Sequence, residues 1–210
     1  MNPAEALDAV RQADAALGAD DAAPFPYPLP VGELAPLVAG VTSALERSDW
    51  WLPSLRERVG AAVRGVPVDR LADARTGARP YRVVPPGSAP ALRALLAVGI
   101  AHAERAHDDR CVVVHLGVGS AADGALHEAL NLAALLQPRV VFVVSVHPLD
   151  GDAPLGRQLA ASPRALAEAF GIPAAQVDGS DAEAVAAAVR AVRDQAGPHL
   201  IEARLGGSGT

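Results

Sequence analysis

The run Cys111-Val112-Val113-Val114-His115-Leu116-Gly117-Val118-Gly119-Ser120, followed from Gly124 to Leu136 by an Ala- and Leu-rich stretch, decides the fold class. From Cys111 to Leu116 the residues are almost continuously apolar and rich in β-branched side chains, the pattern of a strand covered on both faces. The glycine pair ends that strand. The segment 124–136 then has helical composition and few breakers. Two later runs, Val140-Val141-Phe142-Val143-Val144 and His199-Leu200-Ile201-Glu202-Ala203, repeat the buried-strand pattern, with helices expected at 163–170 and 181–196. Ser162 before Pro163 reads as an N-cap with proline in the first turn, and Ser180 with Glu183 has capping-box spacing. Strands alternating with helices at these lengths predict right-handed crossovers and a mostly parallel sheet, an α/β three-layer sandwich.

Upstream of this core the pattern is helical. Ala6, Val10, Ala13 and Leu17 recur at helical spacing and predict an amphipathic helix over 3–17. Four prolines between Pro24 and Pro30 then favour an extended strap. Further helices are expected at 32–47, 53–64 and 90–106. The chain of 210 residues is read as one domain over 1–205, with the helix and strap occupying 1–32 and a disordered tail over 206–210.

Composition narrows the function classes. Half the residues are apolar but only 3% are aromatic, so the core is built from small aliphatic side chains. A net charge of -6 without a basic cluster gives no electrostatic footprint for nucleic acid. The single cysteine, Cys111, forms no internal disulfide, and there is no apolar run of membrane-spanning length. A cytoplasmic protein without a membrane segment is the expectation.

The glycine turn admits two readings. Glycines between strand and helix permit close backbone approach, and amides at a helix N-terminus attract an anion such as a diphosphate. A tight connection with no ligand explains the same residues.

A longer pattern surrounds that turn. Gly117-Val118-Gly119, Gly124, His127-Glu128-Ala129-Leu130-Asn131, Ala133-Ala134, Ala169-Phe170-Gly171-Ile172-Pro173, Val177-Asp178-Gly179 and Gly197-Pro198-His199-Leu200-Ile201-Glu202 follow one another in order. With Ser48-Asp49-Trp50-Trp51-Leu52-Pro53-Ser54-Leu55-Arg56-Glu57 and Arg64-Gly65 upstream, the chain resembles the alpha subunit of the decarboxylating first component of 2-oxo acid dehydrogenase complexes. The resemblance implies the diphosphate-binding domain fold of thiamine diphosphate enzymes, with extra N-terminal helices. It also implies a beta-subunit partner that supplies the pyrimidine-binding half of the site.

In such subunits magnesium bridges the cofactor's phosphates to an aspartate between the two glycines and to an asparagine after the second strand. A small hard dication demands oxygen ligands of that kind. Here Val118 and His147 stand at those positions, and Leu55 replaces the tyrosine before Arg56. The segment between Gly77 and Gly87 is shorter than the loop that carries a histidine in the family. We therefore expect no metal ligands, no bound cofactor, no catalytic residue, and a residual, weak diphosphate site at Arg56, Gly117, Gly119 and Ser120. Arg56 is equally open to pairing with Glu57 or Asp49. Asp123, Asp150 and Asp152 read as surface charge or helix caps, His115 as a core histidine bonded to backbone, and His102 and His107 as helix surface. Glu128 and Asn131, one turn apart, are expected at a subunit interface. Two functions follow: a non-catalytic association module, paired with itself or with a beta-subunit-like protein, or an active alpha subunit carrying out thiamine-diphosphate-dependent oxidative decarboxylation of a 2-oxo acid.

Overall fold

A computed structural model describes residues 1–18, 30–71, 79–87, 89–107, 109–146 and 159–206. The proline strap from Ala23 to Leu29 and the tail after Gly206 lie outside them. Helix α1 (Pro3–Gly18) opens with a reciprocal cap: Glu5 N–H donates to Asn2 Oδ1 at 2.9 Å and Asn2 N–H to Glu5 Oε2 at 3.0 Å. Its buried face is Pro3, Ala6, Val10, Ala13 and Leu17, as the periodicity predicts. A 3₁₀ turn (Gly32–Leu34) leads into α2 (Ala35–Ala44), which is buried on nearly every side.

The sheet contains β1 (Trp50–Leu52), β2 (Val112–Gly117), β3 (Val140–Val146), β4 (Ala174–Asp178) and β5 (His199–Arg204). Its order is β1-β2-β3-β5-β4 and every pairing is parallel. The β2 and β3 residues are almost all buried, which is why they read as continuous apolar runs. The short edge strands β1 and β4 lack such a run. Beyond β1 the chain returns as an isolated parallel bridge between Trp51 and Val83, which covers that edge.

Remaining elements are the 3₁₀ helix Glu57–Ala62, α3 (Val68–Leu71), the 3₁₀ turn Arg79–Tyr81, α4 (Leu92–Ala103), α5 (Val118–Ala121), α6 (Gly124–Leu136), α7 (Pro163–Ala169) and α8 (Ala182–Arg193). Helices α2 and α8 lie on one sheet face, where Val113, Val141, Val143, Ile201 and Ala203 point, and α1 packs against those two helices. Helices α4, α6 and α7 cover the other, against Val112, Val114, Leu116, Val140, Phe142, Val144 and Leu200. The three-layer parallel sandwich is thus present as expected.

Two local expectations need correction. The stretch 53–64 is not an α-helix but a short 3₁₀ helix with turns, because Gly60 brings its backbone against the Trp51 ring, where an added Cβ would lie at 2.7 Å. The cap of α8 is Asp181 rather than Ser180. The Asp181 carboxylate accepts from Glu183 N–H and Ala184 N–H, while Ser180 turns back to Asp178. Ser162 does cap α7, accepting from Ala165 N–H at 3.1 Å, and buried Glu202 of β5 accepts from Arg164 N–H at 3.0 Å beside it.

A buried clasp ties the layers together. Asp49 is fully buried and takes Arg193 Nε at 2.8 Å and its terminal nitrogen at 3.1 Å, with Cys111 N–H and Glu46 N–H donating to the same carboxylate. Arg64 sits nearby and donates to the carbonyls of Asp49, Glu46 and Tyr81. These bonds join the end of α8 to the starts of β1 and β2.

Candidate functional site at the glycine turn

Parallel pairing sets Leu52 against Val114 and Gly117 against Ser145, so β1, β2 and β3 all end at one edge of the sheet, its carboxyl end. Ligands of open parallel sheets bind at that edge. The turn consists of Gly117, extended at φ −80° and ψ 159°, and the one-turn α5 that holds Val118, Gly119 and Ser120. Neither glycine is forced by its own chain. Neither has a left-handed backbone, and a Cβ on either would meet nothing within 4 Å. Among the described residues nothing fills the space above either one.

The charges around that space do not favour an anion strongly. Asp123 caps α6, its carboxylate accepting from Ala125 N–H at 2.9 Å. That places a negative charge on the helix N-terminus that the sequence reading offered to a diphosphate. Val118 contributes an isopropyl group that is 9% exposed, and Ser145 directs its hydroxyl to Leu116 O at 3.4 Å. Among the described residues no group of three or more His, Cys, Asp or Glu side chains is placed to hold a metal ion. Among the described residues of the turn, Asp123 is the one carboxylate, and it is engaged as the helix cap. His147, Asp150 and Asp152 lie outside the described residues.

Arg56 follows β1 at the same edge, half-buried ahead of the 3₁₀ helix. Its pairing with Asp49 is not found, since Asp49 is held by Arg193. It does act on Glu57. That carboxyl is fully buried, and burial raises its pKa against the opposing pull of the Ser54 hydroxyl and the Arg56 charge.

Below the turn lies a polar group that sequence reasoning missed. Arg93 of α4 is 5% exposed and donates to Pro85 O at 2.8 Å and Val84 O at 3.2 Å. Burial lowers its pKa to about 10, with Glu57 opposing that shift, so it remains a cation at neutral pH. His115 is not bonded to backbone as expected. Neither ring nitrogen has a hydrogen-bond partner among the described residues, and the ring packs edge-on against Trp51 at 5.7 Å. Burial first, and then the Arg93 charge, push its pKa down to about 3, so the ring is neutral. The buried Cys111 thiol is pushed up to about 12 by burial and by Asp49, which makes it a poor nucleophile. No periodicity singles out Arg93, because an arginine on an otherwise apolar helix reads as its solvent face.

Glu128 and Asn131 both point outward from α6, where Leu135 is 72% exposed. His102 is half-buried on α4, and His107 lies beyond that helix. No helix among the described residues is long and apolar enough to cross a membrane.

The fold is an all-parallel α/β sandwich with its glycine turn at the carboxyl edge of the sheet. Residues 27–205 match the model of the family described as dehydrogenase E1 component, and the chain belongs to that family. It is 36% identical over 183 residues to the 3-methyl-2-oxobutanoate dehydrogenase subunit alpha of Mycobacterium tuberculosis, covering 80% of this chain and 50% of the relative. It is 31% identical over 172 residues to the pyruvate dehydrogenase E1 component subunit alpha of Staphylococcus aureus, covering 76% and 46%. The chain spans about half the length of the curated relatives it matches.

Proposed function

We propose that this chain is a non-catalytic member of its family, one that does not take up magnesium thiamine diphosphate and works by associating with itself or with a beta-subunit-like protein. The observation that carries this reading is Val118: the position between the two glycines of the turn holds an apolar, nearly buried side chain where the resemblance calls for a carboxylate. A dication bridging two phosphates needs that oxygen, and the nearest carboxylate in sequence, Asp123, is engaged as a helix cap. Without the metal, Arg56 and the amides of Gly117, Gly119 and Ser120 offer a diphosphate only a screened electrostatic attraction.

Calorimetric titration tests this. Thiamine diphosphate with magnesium should bind no tighter than inorganic diphosphate, and Arg56→Ala should weaken both equally. A clear magnesium-dependent gain in affinity would overturn the reading in favour of an active alpha subunit acting on a 2-oxo acid.

A further inference from the structure

At the amino edge of the sheet, opposite the glycine turn, the links that enter β2, β3 and β5 surround a cavity of about 190 Å³. Val112 pairs with Val140 and Val141 with His199, so the three links meet the sheet side by side. Arg105 and Arg110 line the cavity from the first link, Gln137 and Arg139 from the second, and Gly197 from the third. Gly197 has a left-handed backbone at φ 81°, and a Cβ there would meet Gln137 Oε1 at 2.7 Å. Glycine is what lets the third link close against the second.

Charge here runs against the rest of the molecule. The chain carries a net charge of -6, yet three arginines line this cavity, and Glu104 is the one acid among its described lining residues. That carboxylate is already shared: Arg110 pairs with it, Arg82 reaches it at 3.2 Å, and Trp50 Nε1 donates to it. Arg110 Nε is buried and has no hydrogen-bond partner among the described residues. The Asp109 carboxylate, 3.9 Å away, is beyond bonding reach.

Helix ends compete for such cations. Helices α4, α6 and α8 all finish at this edge, and their carbonyl ends attract guanidinium and oppose an anion. Other donors meet those carbonyls. Ile100 O takes Glu104 N–H, Ala133 O and Ala134 O take the backbone and side-chain amides of Gln137, and Val192 O and Ala191 O take those of Gln195. Arg105 adds one bond, from Nη1 to His102 O at 2.8 Å. Capping therefore accounts for part of Arg105 and for none of the Arg110 side chain.

We propose that this cavity binds a small oxyanion of the phosphate class, held by Arg110 and Arg105 with Arg139 adding charge. The site is separate from the glycine turn and independent of the association reading above. Guanidinium forks match the spacing of phosphate oxygens, and the anion would give Arg110 Nε its missing acceptor. Size sets the class, since drug-sized ligands occupy pockets of about 300–1,000 Å³. A cavity of about 190 Å³ takes free phosphate or the phosphoryl end of a small molecule.

Two-dimensional NMR of the full chain, titrated with inorganic phosphate at low salt, tests the assignment. Amides of Glu104, Arg105, His107, Gln137, Arg139 and Gly197 should shift together and saturate, and chloride at equal ionic strength should not reproduce the shifts. Arg110→Gln should raise the dissociation constant at least about tenfold and Arg105→Gln about threefold. Arg105 is exposed and stands outside the Glu104 pairs, so its variant should keep the wild-type thermal midpoint. Arg56→Ala, at the other edge of the sheet, should leave these shifts unchanged. Glycerol phosphate is the second probe: binding at least as tight as phosphate supports a phosphoryl group on a small molecule, and weaker binding supports free phosphate. Shifts that grow without saturating, that chloride matches, or that gather instead at Gly117, Gly119 and Ser120 would overturn the site. So would an unchanged affinity in a stably folded Arg105→Gln.

Discussion

The two helical layers of this molecule bury similar aliphatic faces yet turn different faces outward. On one side, α1 exposes Glu5, Asp8, Arg11 and Gln12, and α8 exposes Glu183 and Arg190. On the other, α4 exposes Leu92, Leu96 and Gly99, and α6 exposes Leu135 and Leu136 next to Glu128 and Asn131. The inward faces are set by the sheet and look alike. The first layer meets water with charged side chains while α4 and α6 carry apolar ones outward, and apolar surface gathered on adjacent elements is the kind that marks an interaction site, which supports the association proposed above.

The largest effect is expected where the first layer is tied to the sheet. Asp49→Ala leaves Arg193, itself 12% exposed, without its buried partner, and strips the acceptor from Cys111 N–H and Glu46 N–H. Removing one member of such a pair costs about 3–5 kcal/mol. Chemical denaturation measures it, and a loss within 1 kcal/mol or so would show that the clasp is peripheral.

His115 gives the next effect, read as pH dependence. Its folded pKa of about 3 lies below the ordinary value of 6.5, so the unfolded chain binds the extra proton first as pH falls. Its contribution to stability is therefore full above pH 6.5 and is lost progressively down to about pH 3. The slope is at most about 1.4 kcal/mol per pH unit. Urea midpoints across that window should fall for wild type and flatten for His115→Leu; equal slopes would mean that the ring finds a partner for its proton in the fold.

Glu104 sharpens the comparison from the second layer. Arg110 and Arg82 pair with it and Trp50 Nε1 donates to it at 2.9 Å; these contacts outweigh burial and lower its pKa to about 2. The sign is the usual one for a carboxylate: the stabilisation is present above about 4.5 and disappears as pH falls towards 2. With 18% of the side chain exposed, about 1 kcal/mol is expected on Glu104→Gln at neutral pH. The smallest effect concerns the cap of α8. Asp181→Ala should cost about 1 kcal/mol and Ser180→Ala a few tenths or less. The reverse order would restore Ser180 as the cap.

Much of this was legible in the chain. Strands β2, β3 and β5 announce themselves because both faces are covered, and α1 because one face is. Strands β1 and β4 do not, since three or five residues at a sheet edge carry too little apolar periodicity to distinguish them from loops. The turn at Gly117 was legible as a turn, and Val118 as a misfit at its centre. What could not be read was long-range pairing: Asp49 with Arg193 spans 144 residues, and Arg93 lies inward on a helix whose outward side is apolar. A local pattern assigns charge to the outside by default, and α4 inverts that default.

Hydrogen exchange followed by mass spectrometry, run across a micromolar concentration series, tests the contrast between the layers most directly. Amides of 92–103 and 124–136 should become more protected as concentration rises, while those of 3–18 and 182–193 should stay unchanged. Protection that does not depend on concentration in α4 and α6, or that rises instead in α1 and α8, would contradict the account.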